Sequence, residues 1–242
     1  MRFEAKTLRV ILLAGALAAA ASALAAPMAA AQARARKFDP ALLENGDLIG
    51  YRALTREDFR AGEPPGEIAG LHDQLGAATC VFLATHPRMF VRSSSGGADA
   101  LKGQYRAWVE DLAFLAYMDR ECSWWNPAPL DLPADYILQH EQIHFAFFEI
   151  AARRLNREAD ELAKQLEALS SSHEQAIHEL RRRLDRRVQR EIDAIVERSD
   201  QLDRDTSRSY RLEHQDRWWQ TVNEELRALA EAAAPEPGRT GG

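Results

Sequence analysis

A long stretch without helix-breaking residues most limits how this chain can fold. Residues 134–169 contain neither glycine nor proline and are rich in leucine, alanine and glutamate. These residue types favour the α-helix, so the stretch predicts a long helix. Serines at positions 170–172 interrupt it, and Ser171 with Glu174 fits a capping box at the start of a second helix.

The segment after the serines has the apolar spacing of a helix that packs on one side. From Ala176 to Leu202, apolar residues follow one another mostly at intervals of four and three, which places them on one helix face. Together the two segments predict a helical hairpin over about 134–204, with one continuous helix as the alternative. A last helix is expected over about 209–233, and residues 234–242, which carry prolines and glycines, are expected to form a loose tail.

The residues before this helical half have the pattern of β-structure. Residues 47–54 predict a short strand that ends in a capping-type sequence, Thr55 to Asp58. A compact apolar run at 80–85 predicts another strand, and apolar residues two or four apart over 107–125 could share one face of a further strand. The expected fold class is α+β, with a small antiparallel β region followed by long helices.

The N-terminus has the pattern of a secretory signal peptide. Three basic residues among the first nine precede an apolar run over 10–26, and A-x-A sites end at Ala25 and Ala33. The run is alanine-rich and shorter than the roughly 20 residues that a bilayer span needs. We therefore expect residues 1–33 to be removed and the protein to be periplasmic or secreted, with an uncleaved membrane anchor as the alternative. No later segment is apolar enough to cross a bilayer, so no stable span is expected after cleavage.

Composition narrows the classes of partner and of site. The formal net charge of the 242 residues is −6, so no global basic field would attract nucleic acid, and no nucleic-acid partner is expected. The chain has two cysteines and no CxxC pair, which excludes a four-thiolate zinc site. After export, Cys80 and Cys122 could form a disulfide or remain two separate buried thiols.

The pattern that carries chemistry lies on the first predicted long helix. His140 and His144 are four residues apart, so a helix presents both imidazoles on one face, as a zinc ion requires. Glu141 follows the first histidine and could accept a proton from a water molecule held at such a site, as a general base. The alternative is a pair of hydrogen-bonded core histidines without a metal.

A second segment starts with the same three letters but differs in spacing. His173 and His178 are five residues apart and lie in polar surroundings. At about 100° per residue, side chains five apart on a helix diverge by about 140°. This second segment therefore predicts a solvated helix face.

Four segments together resemble a bacterial family of predicted secreted zinc-dependent proteases, otherwise described as a domain of unknown function. The most specific is the helix segment that contains His140 and His144. The others are an early stretch at 51–59, Ser123 with Trp124, and a C-terminal signature that starts at Asp203 and ends at Trp218. The resemblance implies a single zincin-like domain over residues 34–233 that binds Zn²⁺ and hydrolyses a peptide or protein substrate.

Two positions depart from the family pattern. Ala146 replaces an aspartate that usually follows the second histidine and phenylalanine, and Arg208 stands where the signature usually has a histidine. An arginine cannot deprotonate to bind zinc. If the family histidine is the third ligand, that ligand must come from elsewhere in this chain.

Several residues could supply the third ligand. The first choice is His214, six residues after Arg208 in the same signature. Glu149 lies about 140° round the helix from His144 and suits a supporting role better than direct ligation. Two carboxylates and two histidines of the β region are further candidates: Asp203, Asp205, His72 and His86.

These patterns favour an exported zinc-dependent metallopeptidase, with His140, His144 and His214 as ligands and Glu141 as the general base. A second hypothesis is a non-catalytic relative whose site is degraded at Arg208 and whose long helices bind an envelope partner. A third is a structural coiled coil in which the motif is incidental and the seam from Ala176 to Leu202 drives self-association.

Overall fold

The architecture comes from a computed structural model. It describes residues 46–66, 68, 70, 75–95, 104–128, 131–206 and 211–232, and of residues 8–15 the backbone only. Within these residues, antiparallel sheets are followed by long helices, which confirms the α+β class expected from the sequence.

The strands form two antiparallel sheets, and all of them except the last precede the long helices. The larger sheet has the order β1-β3-β6-β2, with β7 also paired to β3, and the smaller has the order β4-β5-β8. The strands are β1 Leu8–Gly15, β2 Leu48–Gly50, β3 Leu75–Thr85, β4 Phe90–Ser95, β5 Tyr105–Glu110, β6 Phe114–Asp119, β7 Trp124–Trp125 and β8 Ala168–Ser170.

Four helices follow or flank these sheets among the described residues: α1 Ala134–Arg157, α2 Ala159–Leu166, α3 His173–Thr206 and α4 Leu212–Glu231. The helical stretch is broken after α2, and α3 runs back alongside α1, so a single continuous helix does not form. The helical stretch ends at Leu166, earlier than expected, because residues 168–170 form the strand β8. The next helix is capped one residue later than expected: the Gln175 N–H donates to Ser172 Oγ at 3.2 Å.

Strand β3 is the centre of the larger sheet and supports α1. Every residue of β3 is buried, because β6 pairs with it on one side and α1 covers one face. At Gly76 the side chain of Ile137 lies so close that an added Cβ would be 2.7 Å from Ile137 Cδ1. A glycine there leaves room for this side chain, so that the start of α1 packs closely on the strand.

The segment 107–125 is not one strand. It divides into β5, β6 and β7, and between β5 and β6 the chain passes from one sheet to the other through Asp111, whose φ of 52° is in the left-handed region. Aspartate tolerates this conformation better than most residues. The expectation that apolar residues from Trp108 to Met118 share one strand face was therefore wrong, because those two residues lie in different sheets. The capping sequence at Thr55 and Asp58 was correct: it forms a capping box on a 3₁₀ turn.

A disulfide joins Cys80 of β3 to Cys122, which precedes β7. The two cysteines are therefore paired and are not separate thiols. The same turn is held by Ser123, whose Oγ accepts a hydrogen bond from the Cys80 N–H at 2.9 Å and donates one to the Asp119 carbonyl at 2.7 Å. The turn before β7 is thus tied to the strand that lies beneath α1.

The backbone of β1 pairs antiparallel with β3, with Leu12 opposite Thr79. This strand belongs to the segment expected to be a signal peptide, whose cleavage sites lie outside the described residues. Removal of residues 1–33 stays a prediction, and it would leave this edge of β3 without the partner that it has in the uncleaved chain. Among the described helices, none combines the length and the apolar character that a bilayer span requires.

Candidate metal centre

Helix α1 places both histidines of the motif in the interior. His140 and His144 lie one helix turn apart with their rings edge to face, at a centroid distance of 4.7 Å. Their side chains are 4% and 0% exposed. They point towards the C-terminal turns of α3, which supply a carboxylate, Asp203, whose side chain is 25% exposed.

Three candidate ligand atoms converge at this point. His140 Nε2 and His144 Nε2 are 3.0 Å apart, and Asp203 Oδ1 lies 3.0 Å from the first and 3.2 Å from the second. Ligand atoms around a tetrahedral ion with bonds of about 2.0–2.1 Å are separated by about 3.3 Å. The three atoms are therefore close to the spacing that one metal ion would require, and this buried group could hold a metal ion.

The pKa values of the three side chains are shifted by their burial and by the charges of their neighbours. Burial lowers the pKa of His144 below its usual value. Burial acts in the same direction on His140, but the hydrogen bond and charge of Asp203 outweigh it and raise that pKa. Burial would raise the pKa of Asp203, but the two imidazoles outweigh it and hold the pKa low. The carboxylate is thus kept ionised, as a metal ligand must be.

Glu141 lies beside the group, and its two carboxylate oxygens differ in their hydrogen bonding. Its Oε2 accepts a hydrogen bond from Thr79 Oγ at 2.7 Å, whereas its Oε1 is buried and has no hydrogen-bond partner among the described residues. Burial raises the pKa of Glu141 to about 7. A carboxyl group with such a pKa can both accept and release a proton near neutral pH.

Aromatic and charged side chains pack next to the group on the side of His144. Phe147, one turn after His144 on α1, contacts the His144 ring edge to face at 6.2 Å. Trp218 of α4 packs against Phe147 at 5.8 Å, and its indole N–H donates to Asp205 Oδ2 at 3.0 Å. The Arg198 guanidinium lies 4.5 Å from the Phe147 ring centroid. These contacts tie the last turns of α3 to α1 and α4, which limits the movement of the ligand helix.

The C-terminal turn of α3 is also anchored by hydrogen bonds to the start of α1 and α4. The Tyr136 hydroxyl donates to the Thr206 carbonyl at 3.2 Å. The side chain of Gln215, which is fully buried on α4, donates to the Tyr136 carbonyl at 2.8 Å and to Gln139 Oε1 at 2.7 Å. These hydrogen bonds link α3 to α1 and α4 to α1, and so fix the positions of the three helices relative to one another.

The structure brings together three of the candidate ligands and separates others. His140, His144 and Asp203 converge, and Glu141 lies beside them. His214, the first choice for the third ligand, is half-buried on the first turn of α4 and is not part of this group.

The remaining candidate ligands lie elsewhere. Asp205 accepts the Trp218 hydrogen bond, and Glu149 accepts one from Arg153 Nε at 2.7 Å. His86 lies in the turn between β3 and β4, where its Nδ1 accepts the Arg88 N–H. His72 and Arg208 lie outside the described residues.

Two residues that contact the site are not predicted by the sequence patterns. The pattern of β3 does not link Thr79 to Glu141, although a threonine in the middle of a fully buried apolar strand is a signal for a buried polar partner. Thr206 belongs to the C-terminal signature, but its place there does not predict that its Oγ lies 3.3 Å from His140 Nδ1.

No protein-family model, curated protein or solved structure matches this chain. The resemblance to secreted zinc-dependent proteases therefore remains a hypothesis, and the geometry of the metal centre carries the functional proposal.

Proposed function

We propose that this protein is an exported zinc-dependent metallopeptidase, and that His140, His144 and Asp203 hold its zinc ion. One observation carries the proposal: the three ligand atoms lie 3.0–3.2 Å from one another beside a buried glutamate with a free oxygen. Asp203 replaces His214 as the third ligand in this proposal.

The donor set favours zinc over calcium and magnesium. Two imidazole nitrogens and one carboxylate oxygen form a three-ligand set of the kind that catalytic zinc sites use, with the fourth position left for water or substrate. Calcium and magnesium prefer sites built entirely from oxygen. Zinc, when bound, polarises a substrate carbonyl and makes water more acidic.

Glu141 is positioned to move the proton in this reaction. Thr79 holds Oε2, so that Oε1 is the atom available to accept a proton from a water molecule. Hydrolysis adds the water oxygen to the carbonyl carbon and breaks the C–N bond, and the leaving nitrogen needs one proton. Glu141 delivers to that nitrogen the proton that it accepted, and so returns to its starting state. A pKa of about 7 suits both transfers.

The disulfide supports the proposal of export. Disulfides persist in oxidising compartments and are rare in reducing ones. Cys80 follows Thr79 on β3, so the Cys80–Cys122 bond lies on the face of the sheet opposite to the one that Thr79 presents to Glu141. The signal-peptide pattern of residues 1–33 and the family resemblance of the zinc helix point in the same direction.

A second candidate is a metal-stabilised binding protein without catalytic activity. Two observations favour it: Glu141 has no exposed surface, and Arg208 replaces the histidine of the family signature. In that case the ion would stabilise the packing of α1 on α3, and the helices would present an interaction surface.

The two candidates are separated by metal content and hydrolysis. Protein purified without chelator is analysed for zinc and incubated with a fluorescently labelled, unfolded general protease substrate. The metallopeptidase proposal predicts about one zinc per chain and cleavage that a chelator stops. Zinc binding without cleavage supports the binding protein. Absence of zinc, together with an unchanged thermal midpoint when zinc is added, contradicts both.

A further inference from the structure

We propose that Thr206 is a positioning residue, which fixes the His140 ring in the tautomer that leaves Nε2 free to bind a metal ion. The inference rests on the proposed function, because it assigns a role within the same metal centre. It starts from a buried hydroxyl, 2% exposed, on the last turn of α3.

The single proton of this hydroxyl already takes part in a hydrogen bond. Thr206 Oγ lies 2.7 Å from the Leu202 carbonyl oxygen, which can only accept a hydrogen bond. The hydroxyl therefore donates to Leu202. Threonine commonly makes this bond to the carbonyl four residues earlier in a helix.

The second contact of the hydroxyl then has a defined direction. Thr206 Oγ lies 3.3 Å from His140 Nδ1. Because its proton points to Leu202, the oxygen can only accept in this contact, so Nδ1 must carry the hydrogen. In the neutral imidazole that a metal ion requires, the other nitrogen, Nε2, then has the free electron pair, whereas without an ion Nε2 can donate a proton to Asp203. That nitrogen is the one 3.0 Å from Asp203.

The second histidine of the site lacks such a contact. His144 Nδ1 is buried and has no hydrogen-bond partner among the described residues. The two ligands thus differ: the hydroxyl of Thr206, together with the side chain of Gln215, contacts one ring, whereas the other packs against Phe147. An orienting partner on a metal-ligating histidine typically changes metal affinity by about 10- to 100-fold.

One turn of α3 supplies both the ligand and the positioning hydroxyl. Thr206 follows Asp203 by three residues, so both side chains lie on the same helix face. The Tyr136 hydroxyl holds the Thr206 carbonyl at 3.2 Å and anchors that turn to α1, the helix that carries His140. Small shifts of α3 therefore move ligand and hydroxyl together.

The test compares hydroxyl-free and hydroxyl-bearing variants. Thr206→Val keeps the branched shape without the hydroxyl, Thr206→Ala removes it with less bulk, and Thr206→Ser retains it. Ser199→Ala is the matched control, because Ser199 is buried on α3 but its Oγ has no hydrogen-bond partner among the described residues. Zinc dissociation constants are measured by competition with a chromophoric chelator, and cobalt absorption spectra report the ligand geometry.

We expect Thr206→Val and Thr206→Ala to weaken zinc binding by about 10- to 100-fold and to change the cobalt spectrum, and Thr206→Ser and Ser199→Ala to behave as wild type. If Thr206→Val fails to fold, as judged by circular dichroism, Thr206→Ala decides the matter. Wild-type affinity in the hydroxyl-free variants, or equal weakening in Thr206→Ser, overturns the role of Thr206 alone. Failure of the wild-type protein to bind zinc overturns the proposed function as well, so the two failures are distinguishable.

Discussion

Two segments of this chain begin with the same three residues, histidine, glutamate and glutamine, and have different environments. The segment at His140 lies in the middle of α1, where both of its histidines are buried against α3. The segment at His173 lies at the N-terminus of α3, where the ring contacts Tyr105 at 4.2 Å and Ser93 Oγ at 2.9 Å. Its second histidine, His178, is exposed.

The difference shows that the same three residues do not by themselves bring candidate metal ligands together. A spacing of four puts two rings on one helix face, whereas a spacing of five separates them by about 140°. Burial then decides what the rings can do, because a buried ring must find a partner. At His140 and His144 that partner is the carboxylate of Asp203. At His173 the ring contacts Ser93 and Tyr105, which are neutral side chains.

The largest expected effect concerns hydrolysis. Replacing Glu141 with glutamine removes the proton acceptor and keeps the shape of the side chain, so zinc should remain bound while the rate of cleavage falls by about 10²- to 10⁴-fold. The matched change in the other segment, Glu174→Gln, should leave the rate unchanged. Peptide cleavage is followed with a fluorogenic substrate, and zinc content with elemental analysis. Undiminished cleavage by Glu141→Gln would remove that residue from the proton-transfer role.

The next effect concerns metal affinity. His144→Ala removes one of three ligands and should weaken zinc binding by more than about 100-fold, the upper range for changes outside the ligand shell. His178→Ala, at the matching end of the other segment, should bind zinc as wild type does. Isothermal titration of the metal-free proteins measures both. Equal affinities in the two variants would mean that the spacing of the histidines does not distinguish the two segments.

The third effect concerns stability without metal. The pKa of Glu141 is about 7 in the folded protein and 4.5 in a free side chain, so the folded state binds more protons between those values and stability falls as pH rises through them. Above pH 7, Glu141→Gln should be more stable than wild type by roughly 3 kcal/mol. Near pH 4 the difference should vanish.

Urea unfolding in the presence of a chelator measures this difference at both pH values. The matched variant Glu174→Gln should show no such dependence, since Glu174 is exposed. A stability gain for Glu141→Gln that is the same at pH 4 and pH 8 would show that burial of the charge is not its cause.

The smallest effect is expected at His173. Its replacement by alanine removes an exposed hydrogen bond to Ser93 and a ring contact with Tyr105, and it should cost less than about 1 kcal/mol in the free energy of unfolding. Zinc affinity should not change. A measurable loss of zinc affinity in this variant would contradict the assignment of different roles to the two segments.

The sequence predicted the parts of the site that lie within one helix. The spacing of His140, Glu141 and His144, and the absence of glycine and proline around them, are local properties that determine which side chains share a face. The division into a β half and a helical half was predictable for a similar reason, since apolar residues recur at intervals of two in strands and of three or four in helices.

The proposed third ligand, Asp203, was not predictable with the same certainty, because its place at the site depends on how α3 returns along α1. Asp203 lies more than fifty residues after His144, and Asp205 and His214 are close enough in sequence to compete for the same role. Only the register of the two helices selects among them. The change of sheet at Asp111 was also not predictable, since a left-handed residue is a property of one backbone position and leaves the apolar spacing around it unchanged.

The central claim is that His140 Nε2, His144 Nε2 and Asp203 Oδ1 jointly hold one ion. Crystals grown with zinc and measured on both sides of the zinc absorption edge test it most directly. The account predicts one strong anomalous peak within about 2.0–2.2 Å of all three atoms. A difference map without a peak at this site, or with the zinc held by His214 in place of Asp203, would contradict it.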